Sequence, residues 1–377
     1  MIYLDYASTE RMSDESFEKY KELSFSHFGN AGSTHAYGRD ASRLLEGFRK
    51  CCLKALGVEK THDIIFTSGA SESNNMAIKS IAFQYQNRGK RIISSSAEHA
   101  SVSASLSQLK DSFGFDVALL DAKKSGAIDP RELEEVIDKS TILVTLIGVN
   151  NETGAISPIK EVAEIVSKYP KCYFHVDATQ AIGKAKIDYS KVDLISLSAH
   201  KFGGPKGVGI LAYRKNISFL PLVSGGSQEH GLRGGTQDLP SIGSMAVALE
   251  STMKSPLPNA RVHSLALKIR DYVANNPTLL RLNSPENASD FIVNFSFLVH
   301  KASVVLEALS EREIYVSSVA ACSSKGEPLS HVLLSMGLDR GLAGNSMRVS
   351  FDRDTKEEDV DTFLNALTDI LKELSPR

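Results

Sequence analysis

The sequence has little net charge, no long apolar run and few cysteines. Its 43 Lys and Arg residues nearly balance its 45 Asp and Glu residues, so the formal net charge is -2. A chain this close to neutrality gives no electrostatic reason to expect a nucleic acid or an anionic membrane as a partner. The longest apolar run, residues 142–149, is interrupted by Thr145 and Gly148 and is far too short to span a bilayer.

The sequence also lacks the patterns of secreted and metal-binding proteins. Residues 1–6 contain no basic segment followed by a long apolar one, so no secretion signal is visible. The four cysteines form no CxxC and no metal-ligand spacing, and we therefore expect no metal site. Four thiols in 377 residues indicate a reducing compartment rather than a disulfide framework, and we expect a cytoplasmic protein.

The cysteines differ in their surroundings. Cys52 falls on an apolar helical stripe that ends at Gly57, which predicts a core position. Cys172 starts a predicted strand, where a buried, inert thiol is expected. Cys322 lies in a small, polar, loop-like segment between serine pairs. At this point it is either an incidental exposed thiol or a nucleophile.

Apolar and polar patterns alternate along residues 64–213. Strands are predicted at 64–67, 91–94, 116–120, 141–149, 172–176, 192–197 and 208–213, with helices at 71–86 and 100–109 and others beginning near Asp129 and Ser157. This alternation predicts an α/β fold with a mostly parallel sheet wrapped by helices. After residue 250 the pattern changes to that of a smaller α+β domain. We predict a large domain at 13–249 and a small domain built from 1–12 and 250–377.

Polar side chains follow several of the predicted strands. They are His99, Asn150, Asp177, Gln180, Ser198, His200 and Lys201, and a small-residue turn at 68–73 enters a helix. In an open parallel sheet, ligands bind at the carboxyl ends of the strands. Backbone N–H groups at a helix start suit a phosphate.

Lys201 indicates which chemistry these polar groups could perform. It follows the apolar strand at 192–198, where a hydrated lysine seldom lies without a partner or a task. A desolvated amine loses its proton readily and can form a Schiff base. A lysine amine, a carboxylate such as Asp177 and a phosphate-binding turn together describe a pyridoxal phosphate site.

The sequence resembles the cysteine desulfurases of the class V aminotransferase group, enzymes of pyridoxal phosphate fold type I. The resemblance runs from residue 3 to the last predicted helix, and its motifs are residues 67–75, 98–99, 149–154, 175–180, 198–201, 225–229 and 233–236. Several such motifs in the same order make the resemblance specific.

The resemblance implies a role for each site residue. Lys201 would form the Schiff base and move protons, His99 would stack on the pyridine ring and assist proton transfer, and Asp177 would pair with the ring nitrogen. Asn150 and Gln180 would contact the hydroxyl side of the ring. The phosphate would be held by Ala70, Ser71, Ser198, His200 and, from the neighbouring subunit, Thr236, which implies a homodimer. Asn30 and Arg348, both assigned on the resemblance, would bind the substrate carboxylate; without it, Arg348 would be read as an exposed strand residue.

Cys322 matches the nucleophile of the family. The resemblance implies that L-cysteine is converted to L-alanine, leaving a persulfide on Cys322 for a sulfur-acceptor protein in iron–sulfur cluster assembly or tRNA thiolation. The alternatives are a selenocysteine lyase, a class V aminotransferase or, from another functional class, a non-catalytic sulfur-relay subunit.

The sequence departs from the family pattern at three places. Val319 and Ala320 stand where Gly and Ser usually precede the nucleophile, residues 31–33 read Ala-Gly-Ser after Asn30, and Gly203 replaces a usual tyrosine. The substitutions at 319 and 320 are expected to stiffen or redirect the nucleophile segment, and the acceptor stays open between the two routes.

Overall fold

The large sheet forms the centre of the molecule. The computed structural model describes residues 1–318 and 329–374. Seven strands of this part of the chain form one sheet, and they are β2 (His62–Thr67), β3 (Arg91–Ser95), β4 (Asp116–Leu120), β5 (Thr141–Ile147), β6 (Tyr173–Asp177), β7 (Leu194–Ser198) and β8 (Gly209–Arg214). The spatial order is β2-β8-β7-β6-β5-β3-β4, and β8 runs antiparallel to both of its neighbours. The predicted mostly parallel sheet is confirmed.

The strands are apolar along most of their length because helices cover both faces of the sheet. All residues of β5 and β7 are buried. The covering helices include α1 (Asp14–Ser26), α2 (Ala36–Ala55), α3 (Ala70–Tyr85), α4 (Ala100–Phe113), α5 (Pro130–Val136), α6 (Ile159–Val166) and α7 (Leu239–Lys254). Asp129 caps α5 by accepting from the Arg131 N–H, with Pro130 at the first helical position, as the sequence predicts.

A second, smaller sheet is antiparallel. It contains β9 (Leu280–Leu282), β10 (Ile292–Phe297), β12 (Ser317–Ser318) and β13 (Ser346–Ser350), in the order β12-β13-β10-β9 among the described residues. The amino-terminal strand β1 (Ile2–Tyr3) pairs in parallel with β11 (Ile314–Tyr315). The helices of this part are α8 (Ala260–Ala274), α9 (Ala302–Glu311), α10 (His331–Ser335), α11 (Arg340–Gly344) and α12 (Glu357–Glu373).

Separate apolar clusters lie in the two parts. One cluster joins Leu4 and Ala7 to residues of α8, β10, β13 and α12. Others fill the two faces of the large sheet. The chain therefore begins in the smaller unit and returns to it after α7, while the boundaries at 12/13 and 249/250 stay a prediction. In the described part of the chain, no helix is both long enough and apolar enough to cross a membrane.

Candidate active site

A cleft of about 890 Å³ opens at the carboxyl ends of the central strands. Asp177 ends β6, Ser198 ends β7, and the starts of α3 and α4 face the same space. Strands β6 and β7 are parallel neighbours, with Asp177 opposite Ser196 in register. Residues far apart in the chain therefore meet here because parallel strands end at the same edge of a sheet.

Lys201 lies in a single 3₁₀ turn directly after β7. Its Nζ donates to the carbonyl oxygens of Ala7, at 2.8 Å, and Ser8, at 2.5 Å. Burial, followed by the positive charges of Lys184 and Arg348, lowers the pKa of Lys201 from 10.5 to about 8. A substantial fraction of the amine is therefore neutral near physiological pH, as a nucleophilic or basic lysine requires.

Asp177 is buried and its two oxygens have different partners. Oδ1 accepts from the N–H and the hydroxyl of Thr179, and Oδ2 accepts from Asn74 Nδ2 at 2.8 Å. Asn74 Nδ2 also donates to Ser101 Oγ at 2.9 Å. Ser101 Oγ, already an acceptor, can donate its own proton to His99 Nδ1, which lies 2.8 Å away. This chain of hydrogen bonds connects Asp177 to His99.

The same contacts define the tautomer of His99. The Ser101 backbone N–H also donates to His99 Nδ1, so the imidazole is the N-cap of α4. Because Nδ1 accepts, the neutral ring carries its proton on Nε2. His99 is exposed and lines the cleft, so Nε2–H is available to a bound molecule.

The turn from β2 into α3 has the features of an anion site. Gly69 adopts φ 147, and no side chain among the described residues caps α3. A side chain at Gly209 would meet Gly69, because a Cβ there would lie 2.6 Å from the Gly69 Cα. Ala70, Ser71, Ser198 and His200 all line the cleft here. The helix start presents backbone N–H groups and the positive end of its dipole to a phosphate.

Arg348 lies in β13 and is only 7% exposed, so the expectation of an exposed strand residue, reached without the resemblance, is wrong. Its Nη2 donates to Asp5 Oδ1 at 2.7 Å and Ser8 Oγ at 2.6 Å, and its Nη1 donates to the Asn151 carbonyl at 2.8 Å. Nε is buried without a partner among the described residues. The side chain lines the cleft, and this free donor suits a carboxylate.

Gln180 lines the cleft, but its side-chain amide already has two protein partners. Nε2 donates to the Ala7 carbonyl at 2.7 Å, and Oε1 accepts from Lys184 at 3.4 Å. His200 Nδ1 lies 3.1 Å from Thr9 Oγ1, and burial lowers the pKa of His200 to about 4. The amino-terminal segment, residues 5–10, thus contacts the predicted cofactor residues directly.

Three predicted residues lie apart from the cleft lining. Asn30 is exposed and its Oδ1 accepts from the Gly32 N–H. Asn150 is fully buried and holds its own turn, donating to the Ala97 carbonyl and accepting from Glu152 and Thr153. Thr236 is exposed, after the glycine-rich segment. Cys322, with Val319 and Ala320, lies outside the described residues.

Sequence reasoning missed several groups that surround the cleft. Glu98 is 1% exposed, and its Oε1 accepts from Ser95 Oγ and the Ile147 N–H. Its Oε2 has no partner within the described chain, and burial, with a smaller contribution from Asp177, raises the pKa of Glu98 to about 8. The adjacent His99 motif was the available signal. Ala7 and Ser8 contribute carbonyl oxygens, which leave no side-chain signal in a sequence.

The chain belongs to the class V aminotransferase family, which matches residues 2–363. It is 39% identical, over 100% of this chain and 98% of the relative, to a "NifS/IcsS protein homolog" of Lactobacillus delbrueckii subsp. bulgaricus. It is 38% identical to the "Cysteine desulfurase IscS" of Dictyoglomus turgidum, over 99% of this chain and 95% of the relative.

Two solved structures are similar over at least 93% of the chain. A "NIFS-LIKE PROTEIN" superposes with a TM-score of 0.91 at 35% identity, covering 99% of this chain and 100% of the other. A structure described as "SspA in complex with cysteine" has a TM-score of 0.81 at 34% identity, covering 93% and 99%. The match to 99% of the chain therefore includes residues of both sheets.

Proposed function

We propose that this chain is a pyridoxal phosphate-dependent cysteine desulfurase. The observation that carries the proposal is the meeting of a half-buried lysine amine and a buried carboxylate, Lys201 and Asp177, at neighbouring strand ends in one cleft. Relatives 36–39% identical over nearly the full chain include several named cysteine desulfurase. Their names support the reaction type, and the cleft supports the cofactor.

The residues fit the cofactor at three separate points. The turn at Gly69 offers backbone donors for the phosphate, Asp177 offers a carboxylate for a protonated ring nitrogen, and Lys201 offers an amine for the aldehyde. Asn74 Oδ1 and Glu98 Oε2 are buried beside this space without partners among the described residues. Pyridoxal phosphate supplies an electron sink for the electrons left when the substrate Cα loses its proton.

Different side chains bind the substrate, bind the cofactor and transfer protons. Lys201 Nζ, with its lowered pKa, holds and returns the proton that moves at the substrate Cα. Asp177, held by Asn74 and Thr179, would keep the ring nitrogen of a bound cofactor protonated through a charge-assisted hydrogen bond. His99 has its Nε2–H available to donate a hydrogen bond to a molecule bound in the cleft. Arg348 orients the substrate through its carboxylate, with Asn30 a second candidate from the resemblance.

Cys322 would take the sulfur. Its thiolate would form an S–S bond with the substrate sulfur while the bond between that sulfur and the substrate Cβ breaks, and alanine would leave. A persulfide would remain for an acceptor protein of an iron–sulfur or thiolation route. The assignment of Cys322 rests on the sequence resemblance, because this residue lies outside the described part of the chain.

Incubation with L-cysteine tests the proposed reaction. We expect alanine in amounts equal to the sulfur removed, with sulfide released when a reductant is present. Without reductant, mass spectrometry of peptides should find one added sulfur atom on Cys322. Alanine formation without any sulfur transfer to the protein would instead favour a lyase.

Two cysteine variants make the test specific. Cys322→Ser should abolish sulfide release while retaining the cofactor and the substrate-induced change in its absorbance. Cys51→Ser should behave as wild type, because Cys51 is a half-buried residue of α2 whose thiol pKa is raised by burial. Full sulfide release by Cys322→Ser would contradict the assignment and favour a lyase, whereas loss of the substrate amino group without sulfide release would favour an aminotransferase.

A further inference from the structure

Lys184 is a buried lysine that the proposed reaction does not use. Its side chain is 5% exposed, in the turn that follows β6. Lysine is almost never buried at this level unless it is paired. Here its Nζ lies 2.9 Å from Glu10 Oε1 and donates to the Lys201 carbonyl at 2.8 Å and Gln180 Oε1 at 3.4 Å. The ammonium therefore has an acceptor for each of its three N–H groups.

These acceptors come from the segments that surround Lys201. Glu10 belongs to the amino-terminal segment, whose Ala7 and Ser8 carbonyls accept from Lys201 Nζ. Gln180 donates to the same Ala7 carbonyl. The backbone of the segment is also tied to the lysine turn, since the Glu10 N–H donates to the His200 carbonyl. Lys184 thus connects the backbone of Lys201 to the segment that holds its amine.

Lys184 is also the charge with the largest effect on the Lys201 amine. After burial, it is the first contributor to the lowered pKa of Lys201, ahead of Arg348, while Asp5 and Asp177 act in the opposite direction. Glu10 pairs with Lys184, with its Oε1 2.9 Å from Lys184 Nζ. Among the described residues, the titratable and charged groups that line the cleft or adjoin Lys201 are Asp5, Glu10, Glu72, Glu98, His99, Glu152, Asp177, Lys184, His200, Lys206, His331 and Arg348.

We propose that Lys184 is a positioning residue for Lys201, whose buried charge keeps the Lys201 amine neutral and whose hydrogen bond fixes the Lys201 carbonyl. The proposal rests on the proposed function of Lys201. A lysine that attacks an aldehyde and transfers protons must have a neutral amine in a fraction of the molecules. A second ammonium fixed nearby disfavours protonation of the amine, because like charges repel more strongly in a poorly solvated site.

The test measures Lys201 itself. Cofactor-free full-length protein is mixed with pyridoxal phosphate at a series of pH values, and the rate of Schiff-base formation is followed by visible absorbance. The rate rises with the fraction of neutral amine, so its pH midpoint reports the ionisation of Lys201. Borohydride reduction and peptide mapping show that the reacting amine is Lys201.

The main variant is Lys184→Met/Glu10→Gln, which removes both members of the ion pair and leaves no unpaired buried charge. We expect its midpoint to move to higher pH by about one unit, and its rate at neutral pH to fall by about tenfold. Lys184→Arg keeps the charge and should keep the wild-type midpoint. Glu10→Gln alone should not move the midpoint to higher pH.

A double variant with the wild-type midpoint would overturn the proposal and leave Lys184 a structural crosslink. A Lys184→Arg midpoint displaced as far as that of the double variant would do the same. If the double variant does not fold, Lys184→Gln/Glu10→Gln takes its place with the same expectations. Failure of the proposed function is distinguishable, because the wild-type protein would then form no Schiff base at Lys201.

Discussion

At the scale of single residues, environment separates groups of the same type. Lys201 and Lys206 line the same cleft. Lys206 is exposed, whereas the Lys201 amine donates to two carbonyl oxygens of the amino-terminal segment. The three cysteines in the described residues are likewise divided by burial, with Cys52 and Cys172 in the core, as the sequence predicts.

Lys201→Ala should lose the covalent cofactor link, because its amine is the one held at the β7 end. We expect the borohydride-stable cofactor adduct to disappear and turnover to fall by a factor on the order of 10³, the range typical of a lost acid–base group. Lys206→Ala serves as the control from the same cleft and should retain the adduct. An adduct that survived in purified Lys201→Ala would show that another lysine holds the cofactor.

Glu98 should make stability depend on pH. Its pKa rises from 4.5 to about 8 on folding, so the folded protein binds more protons than the unfolded chain between these values. Stability from this group therefore falls as pH rises through that interval. Glu98→Gln keeps an oxygen for Ser95 and Ile147 and has no such penalty, so its stability relative to wild type should increase with pH.

Denaturant unfolding of the cofactor-free protein across this pH interval measures the effect of Glu98→Gln. Glu135→Gln, at an exposed position on α5, is the control and should follow wild type at every pH. A constant difference between Glu98→Gln and wild type across the interval would show that Glu98 is ionised in the folded protein.

At the scale of elements, the segment before Thr236 is held by one buried ion pair. Glu229 has φ 46 and is 3% exposed, and its carboxylate accepts from Arg49 of α2, the Phe66 N–H and Gln237. Arg49 is itself buried and lies over the Phe66 ring. Glu229 is tolerated in the left-handed backbone conformation because its carboxylate accepts hydrogen bonds from both β2 and α2, through the Phe66 N–H and Arg49.

Arg49→Met should destabilise the protein by about 3–5 kcal/mol, because it leaves the Glu229 carboxylate buried without its cation. Arg43→Met is the control on the same helix, where an exposed pair with Asp40 contributes at most about 1 kcal/mol. Urea unfolding compares the two variants. Equal losses would mean that the Glu229 contact does not hold the segment.

The strand predictions over residues 64–213 were close to the observed bounds. Strand 116–120 was predicted with the observed bounds, and the other six strands differ by one or two residues at their ends. Helices α1 and α7 were not predicted. They pack against each other through small residues such as Ser16 and Ser244, whose hydroxyls lie 2.7 Å apart, and small polar residues give little helical periodicity.

At the scale of the whole molecule, Thr236 bears on whether the site is shared between subunits. It is exposed and lies outside the cleft lining of its own chain. The preceding residues Leu220, Leu222 and Val223 are large apolar residues that are about 40% exposed, at 42%, 38% and 42%. These features support the proposed homodimer, in which the segment would reach the phosphate of the neighbouring subunit.

Mixed dimers test this arrangement. Lys201→Ala and Thr236→Asp are each expected to be inactive as homodimers, the second because its carboxylate repels the phosphate. Co-expressed with different tags, they should form a heterodimer with one intact site and recover up to about half of wild-type activity. Recovery no greater than the sum of the two homodimers would place Thr236 in its own subunit's site, and an active monomer in sedimentation would contradict the dimer.

The sequence alone determined the family and the alternation of strands and helices over residues 64–213, and it predicted the site residues at the strand ends. These features follow from local periodicity and from motifs, both of which depend on residues close together in the sequence. The tertiary structure decided which groups touch. The carbonyl oxygens of residues 7 and 8, the pairing of Lys184 with Glu10, and the burial of Arg348 and Glu98 all depend on segments far apart in sequence. Desolvation and neighbouring charge set the pKa of Lys201 and Glu98, and both exist only after the chain has folded.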